Sequence, residues 1–354
     1  VIDQQKTQRI NLPRRQPANS APAVHTTVTK NAVTYQDVVR ASRLHDNTNN
    51  LVHNIMDDIK LGKAIDTQSA KEVVSETVDS MISTPDAMMM LTRIRERDDY
   101  TAQHSMNVAV LTIAFGRALK MERERLIELG VCGLLHDMGK VLTPLEVLNK
   151  EGNLNEEEFE IIKRHPKDGR DILASSGGLF NGAIDVAHAH HERLDGSGYP
   201  RGLYAHQTTH WSKIVAITDA FDAITSDRCY KNGRTNLEAF RILNNSRGSK
   251  FDSNLIMRFI GSIGIYPAGT IVKLNSGESG IVIEAKPKQA LQPKVLIVRD
   301  AEEQLVQARL IDISEQVRIE GQEAIYKIVE TLHPSKTSID MHEMKNSGFL
   351  LDTL

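Results

Sequence analysis

The sequence predicts a mainly α-helical protein with a small β unit near its C-terminal end. From Tyr35 to about residue 260, apolar residues recur at the spacing of amphipathic helices, and no strand pattern alternates with them. After Tyr266 the pattern changes to the alternation of apolar and polar residues that is typical of strands. With 354 residues, 40% of them hydrophobic, the chain is long enough to bury a substantial core and to carry two units.

Four zones follow from these patterns. Residues 1–34 are polar and contain several prolines, so we expect a linker or the tail of a missing N-terminal domain. Residues 35–263 form the predicted helical domain, and residues 264–320 form the predicted β unit of four or five strands. Residues 321–354 are predicted to form one short helix and a polar tail. The sequence starts without Met, which also indicates a longer chain.

Composition narrows the classes of partner and location. A net charge of -3 gives no general attraction for DNA or RNA, so an anionic ligand needs a local group of cations. Cys132 and Cys229 are too few for a disulfide framework and suit a reducing compartment. No apolar run approaches the roughly 20 residues of a membrane-spanning helix, and no signal peptide is present. We therefore expect a cytoplasmic protein with no membrane insertion and no nucleic-acid partner.

The stretch AHAHHERLDGSGYPRGL, residues 187–203, places three histidines in four positions beside a glycine-rich turn. His190 and His191 are neighbours at the predicted end of a helix, before Gly196 and Gly198. Neutral imidazole is the most common protein ligand of iron, manganese, nickel and zinc ions. The stretch therefore indicates a metal site.

A second indication comes from KIVAITDAFDAITSD, in which apolar residues cover most of a predicted helix. Asp219 and Asp222 on this helix are expected to be buried, and a buried carboxylate is costly unless a cation or strong donors compensate it. The two carboxylates lie three residues apart and share one face. Asp219 is predicted to bind a metal, and Asp222 to orient a ligand or a bound water.

A third apolar segment, LIELGVCGLLHDMGKVLTP, delivers His136 and Asp137 at the end of a buried helix. Neighbouring helical residues point about 100° apart, so both reach one site only where the helix ends. Gly139 marks that end. Lys140 then either contacts an anion held by the metals or only offsets the helix dipole.

The number of candidate ligands indicates two metal ions. Five histidines and two carboxylates exceed the four ligands of a tetrahedral zinc site, and they fit two ions bridged by one carboxylate. Mixed imidazole and carboxylate ligands favour iron, with manganese as the alternative. The candidates are His104, His136, Asp137, His165, His190, His191 and Asp219.

Several motifs together resemble the HD-GYP family, a branch of the HD metal-dependent phosphohydrolases. Members of this family degrade the bacterial second messenger cyclic di-GMP. The resemblance covers about residues 98 to 230 and implies an HD-superfamily helical bundle. The matching motifs are DDYTAQHS (98–105), LLHDMGK (134–140), PLEVLNKEGNL (144–154), HPKDG (165–169), AHHERLDGSGYPRGL (189–203) and TDAFDAITSDRCYK (218–231).

The resemblance also implies roles for individual residues. One metal would be surrounded by His104, His136, Asp137 and Asp219, and the other by His165, His190 and His191, with Asp137 as the bridge. Asp137 and Lys140 would be catalytic. The expected substrate-binding residues are Lys140, Tyr199, Asp222, Arg228 and Lys231, of which Arg228 and Lys231 match the family's phosphate-binding basic pair.

Two departures from the family pattern refine this expectation. Cys229 stands where the family commonly has proline, so the loop that carries Arg228 is expected to be less rigid than in the family. Tyr100 stands where some members have a glutamate that binds a third metal, so we expect two metals. The expected product is the linear dinucleotide pGpG, and a further step from pGpG to GMP is secondary.

Other functions stay open from the sequence alone. The chain could hydrolyse cyclic GMP-AMP or an alarmone, or it could bind a cyclic dinucleotide and other signalling proteins without turnover. A purely structural metal site is a third alternative. The long apolar stripe between Tyr35 and about Ile94 further predicts a homodimer.

Overall fold

The structure is a computed structural model. It describes residues 34–93, 100–226, 233–286, 289–315, 317–319, 322–341 and 344. Residues 1–33 of the predicted linker therefore lie outside the described residues, as do residues 345–354 of the predicted tail, Arg228 and Lys231.

Up to Ile263, the described chain consists of helices and the segments that connect them. They are α1 (Tyr35–Lys60), α2 (Thr67–Ser83), α3 (Pro85–Leu91), α4 (Tyr100–Ala118), α5 (Arg123–Leu135), α6 (Leu145–Leu148), α7 (Glu156–Ile162), α8 (His165–Ser176), α9 (Asn181–Ala189), α10 (His210–Thr225), α11 (Asn236–Asn245) and α12 (Ser253–Ile263). A 3-10 helix, Met138–Leu142, follows α5. Within the described residues, no helix is both long enough and apolar enough to cross a membrane.

The centre of the helical core is α4, which is buried along most of its described length. It packs against α5, α10, α1 and α12. The apolar sequence of α4 explains this position, because side chains such as Val108, Leu111 and Phe115 meet neighbours on several sides. Polar residues inside such a core need compensation, which makes His104 on α4 chemically informative.

Three segments end or begin at the same place in this core. Helix α5 ends at Leu135, directly before His136, and α9 ends at Ala189, directly before His190. Helix α8 begins at His165 and has Pro166 in its first turn, where proline removes no helical hydrogen bond. The predicted positions of the histidine motifs at helix ends are confirmed.

A β-sheet follows the helices. Strands β1 (Ile271–Leu274), β2 (Ser279–Glu284), β3 (Lys294–Arg299), β4 (Leu305–Asp312) and β7 (Ile328–Leu332) form an antiparallel sheet in the order β4-β3-β2-β1-β7. Strands β5 (Val317–Ile319) and β6 (Gln322–Ala324) form a separate pair. The mainly α fold with a small β unit is therefore confirmed.

Alternation along the strands divides the sheet into two apolar faces. In the pair β1 and β2, Ile271 lies opposite Ile281, and both belong to the same buried cluster as the helices. Val272 and Val282 point to the other face and join a second cluster. The backbone N–H of Ala285 also donates to Asp86 of α3 at 3.3 Å. The sheet thus packs directly on the helical core.

The β unit extends beyond its predicted end at residue 320. Residues 328–332 form β7, in which Thr331 lies opposite Val272 of β1. The cause of this extension is tertiary: β1 leaves an open edge, and pairing with it satisfies the backbone of a segment whose local pattern is ambiguous. The short helix expected after Gly321 stays a prediction: Pro334–Lys336 form a 3-10 turn, and Met341 and Met344 are helical among the described residues.

Candidate metal centre

All seven predicted metal ligands converge at one place in the helical core. They come from α4, the ends of α5 and α9, the start of α8 and the middle of α10. Two groups have ligand atoms close enough to hold one ion each: His104, His136 and Asp137, and Asp137, His165, His190 and His191. Asp137 belongs to both.

The two carboxylate oxygens of Asp137 face different histidine pairs. Oδ2 lies 3.3 Å from Nε2 of His136 and 3.5 Å from Nε2 of His104. Oδ1 lies 3.3 Å from Nε2 of His165 and 3.5 Å from Nε2 of His190. A carboxylate placed in this way is suited to bridge two cations.

Asp219 lies between the same two groups. Its Oδ1 is 3.1 Å from Nε2 of His104 and 3.9 Å from Nε2 of His136. Its Oδ2 is 4.0 Å from Nδ1 of His191. This position agrees with the expected place of Asp219 beside His104 and His136, with His191 on the opposite side.

Hydrogen bonds orient the histidine rings. Nδ1 of His136 lies 2.7 Å from the carbonyl oxygen of Gly133, and Nδ1 of His165 lies 2.7 Å from that of Ile162. Nδ1 of His190 lies 3.0 Å from the carbonyl oxygen of Ala187. Because a carbonyl only accepts, these contacts place the ring proton on Nδ1 and leave the lone pair on Nε2, which faces Asp137.

Protonation also suits metal binding. Burial lowers the pKa of His165 to about 3, and burial together with the charge of His190 lowers the pKa of His191 well below its usual value. Burial acts to raise the pKa of Asp137, but Lys140 and His136 outweigh it and hold that pKa well below its usual range. At neutral pH, His165 and His191 are therefore unprotonated and Asp137 is ionised, as metal binding requires.

Two buried atoms at the centre lack hydrogen-bond partners. They are Nε2 of His136 and Oδ1 of Asp137. An unsatisfied buried acceptor costs about 1–3 kcal/mol, and a divalent cation bound at each of the two groups would remove that cost. The donor set fits divalent metal ions, and the cluster can hold them.

Asp222 lies behind His104. Its Oδ2 accepts from Nδ1 of His104 at 2.7 Å, and its Oδ1 accepts from the amide of Asn107 at 3.2 Å. Asp222 is buried, and both of its oxygens are engaged inside the core. This position agrees with one predicted role, the orientation of a ligand, and the predicted contact with substrate stays a prediction.

Replacing Asp222 with Asn should weaken one metal site selectively. The variant loses the negative charge that holds the Nδ1 proton of His104, and such partners typically contribute about 10- to 100-fold in metal affinity. We expect the affinity of one of two binding events to fall by about that factor, measured by titration of metal-free protein with Mn²⁺. The group around His165 is the internal control, and an equal loss at both sites would contradict this role.

A cavity of about 870 Å³ opens beside the metal cluster. The cluster's His104, His165, His190, His191 and Asp219 lie on its wall, as do the predicted Lys140 and Tyr199. The ammonium group of Lys140 donates to Oδ2 of Asp137. The volume is within the range of about 300–1,000 Å³ that is usual for ligand sites.

Sequence reasoning did not identify three cations on the cavity wall. They are Arg193, Arg234 and Lys250. No local pattern marks Arg234 or Lys250. The carbonyl of Lys250 accepts a hydrogen bond from the backbone N–H of Leu194 at 3.4 Å, next to Arg193. This bond joins two segments more than fifty residues apart and brings Lys250 to the cavity.

The loop that carries Tyr199 is fixed from within. Glu192 is buried and accepts from the backbone N–H groups of Arg201 at 2.7 Å and Leu203 at 2.9 Å. A Cβ on Gly198 would lie 2.3 Å from the backbone nitrogen of Arg193, so only glycine fits. The loop thereby holds the Tyr199 ring 4.8 Å from the His191 ring. Burial raises the pKa of Tyr199, so it stays a neutral phenol.

Comparison with known proteins identifies the family of this chain. Residues 83–255 match the family model described as the HD domain. The chain is 36% identical over 286 residues to the cyclic di-GMP phosphodiesterase PA4108 of Pseudomonas aeruginosa, a match that covers 81% of this chain and 67% of that protein. It is also 40% identical over 159 residues to the 3'3'-cGAMP-specific phosphodiesterase 1 of Vibrio cholerae, covering 44% of this chain and 36% of that protein.

A solved structure supports the fold assignment. The chain is similar to Bd1817, a HDG"Y"P protein from Bdellovibrio bacteriovorus, with a TM-score of 0.53 and 20% sequence identity. The similarity covers 63% of this chain and 71% of that one. Together with the extensive match to the Pseudomonas protein and the paired histidine and aspartate groups, it confirms the predicted resemblance. The chain belongs to the HD-GYP family of HD-domain proteins.

Proposed function

We propose that this protein is a metal-dependent phosphodiesterase that hydrolyses cyclic di-GMP to pGpG. The observation that carries the proposal is the position of Asp137, whose two oxygens face separate histidine pairs. Of these histidines, His104, His165 and His190 line a large cavity. A structural metal site is usually closed, whereas this cluster opens into a space of ligand size.

Two divalent ions, iron or alternatively manganese, would be held by the two groups. One group is His104, His136, Asp137 and Asp219, and the other is His165, His190 and His191 with the shared Asp137. Such a pair of ions supplies an activated water and neutralises charge on the phosphoryl group. Imidazole and carboxylate ligands together favour iron or manganese over zinc.

The chain's own residues provide orientation and charge. Lys140 lies beside Asp137 and on the cavity wall, where its ammonium group can bind a phosphoryl oxygen. The carbonyl partners of the histidines fix the tautomers in advance, so the rings need not reorganise during the reaction. Arg193, Arg234 and Lys250 add positive charge around the cavity, which suits a ligand with two phosphates.

Cyclic GMP-AMP is the second candidate substrate. The observation that favours it is the 40% identity to the Vibrio cholerae protein named as specific for 3'3'-cGAMP. The two dinucleotides differ in one base, so the metal centre alone does not distinguish them. Hydrolysis rates of both substrates by the same preparation decide between them.

The test combines metal content with turnover. The full chain is purified without oxygen, its metals are measured by mass spectrometry, and hydrolysis of cyclic di-GMP and cyclic GMP-AMP is followed on the same sample. We expect about two ions per chain and release of pGpG. Fully metallated protein that hydrolyses neither compound would overturn the phosphodiesterase proposal in favour of a binding module, and protein that binds no divalent metal would overturn the metal proposal.

Replacing Lys140 with Ala should separate charge stabilisation from metal binding. Removing one such group typically lowers kcat by about 10²- to 10³-fold. We expect that loss for cyclic di-GMP with the metal content unchanged. Lys167→Ala is the matched control, because Lys167 is exposed on α8 and is not among the described residues of the cavity wall. A wild-type rate in Lys140→Ala would remove Lys140 from the proposed mechanism.

A further inference from the structure

Helix α7 (Glu156–Ile162) has an unusual environment for a helix with apolar residues. None of its residues is buried, although Phe159, Ile161 and Ile162 are apolar. Phe159 is 45% exposed, and it lies on the wall of the cavity together with Ile162. Large apolar side chains that stay exposed on the wall of a ligand cavity indicate a ligand with an apolar surface.

We propose that Phe159 is the stacking surface for one nucleobase of the substrate. This inference rests on the proposed hydrolysis of a cyclic dinucleotide and assigns a residue to the recognition of its base. Nucleobases present flat faces, and proteins without base-edge contacts commonly bind them by stacking on aromatic side chains.

The position of Phe159 relative to the metal centre supports a base at this place. Its ring lies 6.3 Å from the Tyr199 ring, edge to face, and the Tyr199 ring lies 4.8 Å from the His191 ring. The Tyr199 ring therefore contacts both Phe159 and a predicted metal ligand, His191. A nucleotide whose phosphate lies at the metals can place its base beside Phe159.

The charged residues also differ between the α7 side of the cavity and the rest of its wall. Helix α7 carries four glutamates, of which Glu158 pairs with Lys150 at 2.6 Å and Glu160 pairs with Lys163. The cations Lys140, Arg193, Arg234 and Lys250 lie on other elements of the wall. The four glutamates outnumber the two lysines paired with them, so the α7 side is less favourable for a phosphate than for an uncharged heterocycle.

The helix holds Phe159 in a fixed place. Glu158 and Asn155 form a reciprocal capping box, with both hydrogen bonds at 2.8 Å. Lys150 donates to both oxygens of Glu158 at 2.7 and 2.6 Å, which ties α7 to the segment before Gly152. A seven-residue helix is marginal alone, and these contacts stabilise it. The Lys163 ammonium lies 5.1 Å from the centroid of the Phe159 ring, and the side chain is still 45% exposed. A rigid aromatic side chain loses little entropy when a base stacks on it.

The first test measures the kinetics of Phe159→Ala in the full chain. We expect KM for cyclic di-GMP to rise by about 10- to 100-fold, the usual effect of losing one stacked base, with the metal content unchanged. Ile161→Ala is the matched control, since Ile161 lies on the same helix and is not among the described residues of the cavity wall. An unchanged KM in an enzyme whose wild type turns over cyclic di-GMP overturns the inference alone.

The second test does not depend on turnover. Phe159→Trp places a fluorophore at the site, and the wild type, whose only tryptophan is Trp211, is the blank. We expect GMP to quench the added fluorescence, whereas ribose 5-phosphate, which has the same phosphate but no base, does not. Equal responses to both compounds, or no response to GMP, overturn the stacking role, and this result stands even if wild-type protein hydrolyses no cyclic dinucleotide.

Discussion

Asp137→Asn is expected to abolish both metal binding at the shared position and hydrolysis. The carboxylate faces His136 and His104 through one oxygen and His165 and His190 through the other. An amide keeps the size of the group but removes its negative charge and one acceptor oxygen. We expect metal content to fall from about two ions to one or fewer, and kcat/KM to fall by at least about 10³-fold, or about 4 kcal/mol of transition-state stabilisation.

Metal analysis and cyclic di-GMP hydrolysis on the same anaerobic sample check this expectation. Asp171→Asn is the matched control, because Asp171 pairs with Arg170 at the surface and such pairs contribute about 0–1 kcal/mol. The thermal unfolding of both variants, measured without metal, shows whether the fold is retained. Two bound ions and a near-normal rate in Asp137→Asn would contradict a shared carboxylate.

The sequence allowed prediction of the metal centre because its signals are local. His136 with Asp137 and His190 with His191 are neighbours at helix ends, and the apolar pattern around Asp219 indicates burial without knowledge of the fold. All of these residues converge in the structure. The burial of a charged or imidazole side chain can therefore be recognised from a short stretch of chain.

The rest of the site depends on contacts between distant segments. Asp222 shares a helix with Asp219, but only the packing of α4 against α10 determines that it faces His104 and Asn107. Lys250 reaches the cavity through a backbone hydrogen bond from Leu194. Strand β7 has a local pattern that also suits a helix, and the open edge of β1 decides its structure. None of these effects leaves a signal in a single segment.

Gly139→Ala is expected to disrupt the centre without changing a ligand. A Cβ on Gly139 would lie 1.9 Å from the carbonyl oxygen of His165 and 2.5 Å from the backbone nitrogen of Gly169. Both atoms belong to the backbone of the first turns of α8, so no side chain can rotate to make room. The helix must move away from the segment that carries Asp137, and His165 must move with it.

We expect two separable consequences of this movement. Overpacking typically costs about 1–3 kcal/mol, so the metal-free variant should unfold at a lower denaturant concentration than the wild type. A displacement of about 1 Å can cost about 10²-fold in rate, so hydrolysis should fall by at least that factor, with loss of the ion expected beside His165.

Gly261→Ala is the control that makes this result interpretable. Gly261 lies in α12, and an added Cβ there would meet no atom within 4 Å. Alanine is favoured over glycine in a helix by about 1 kcal/mol, so this variant should be as stable as the wild type or slightly more stable. Wild-type stability and metal content in Gly139→Ala as well would show that α8 does not pack on this turn, and the geometry of the centre would then need another explanation.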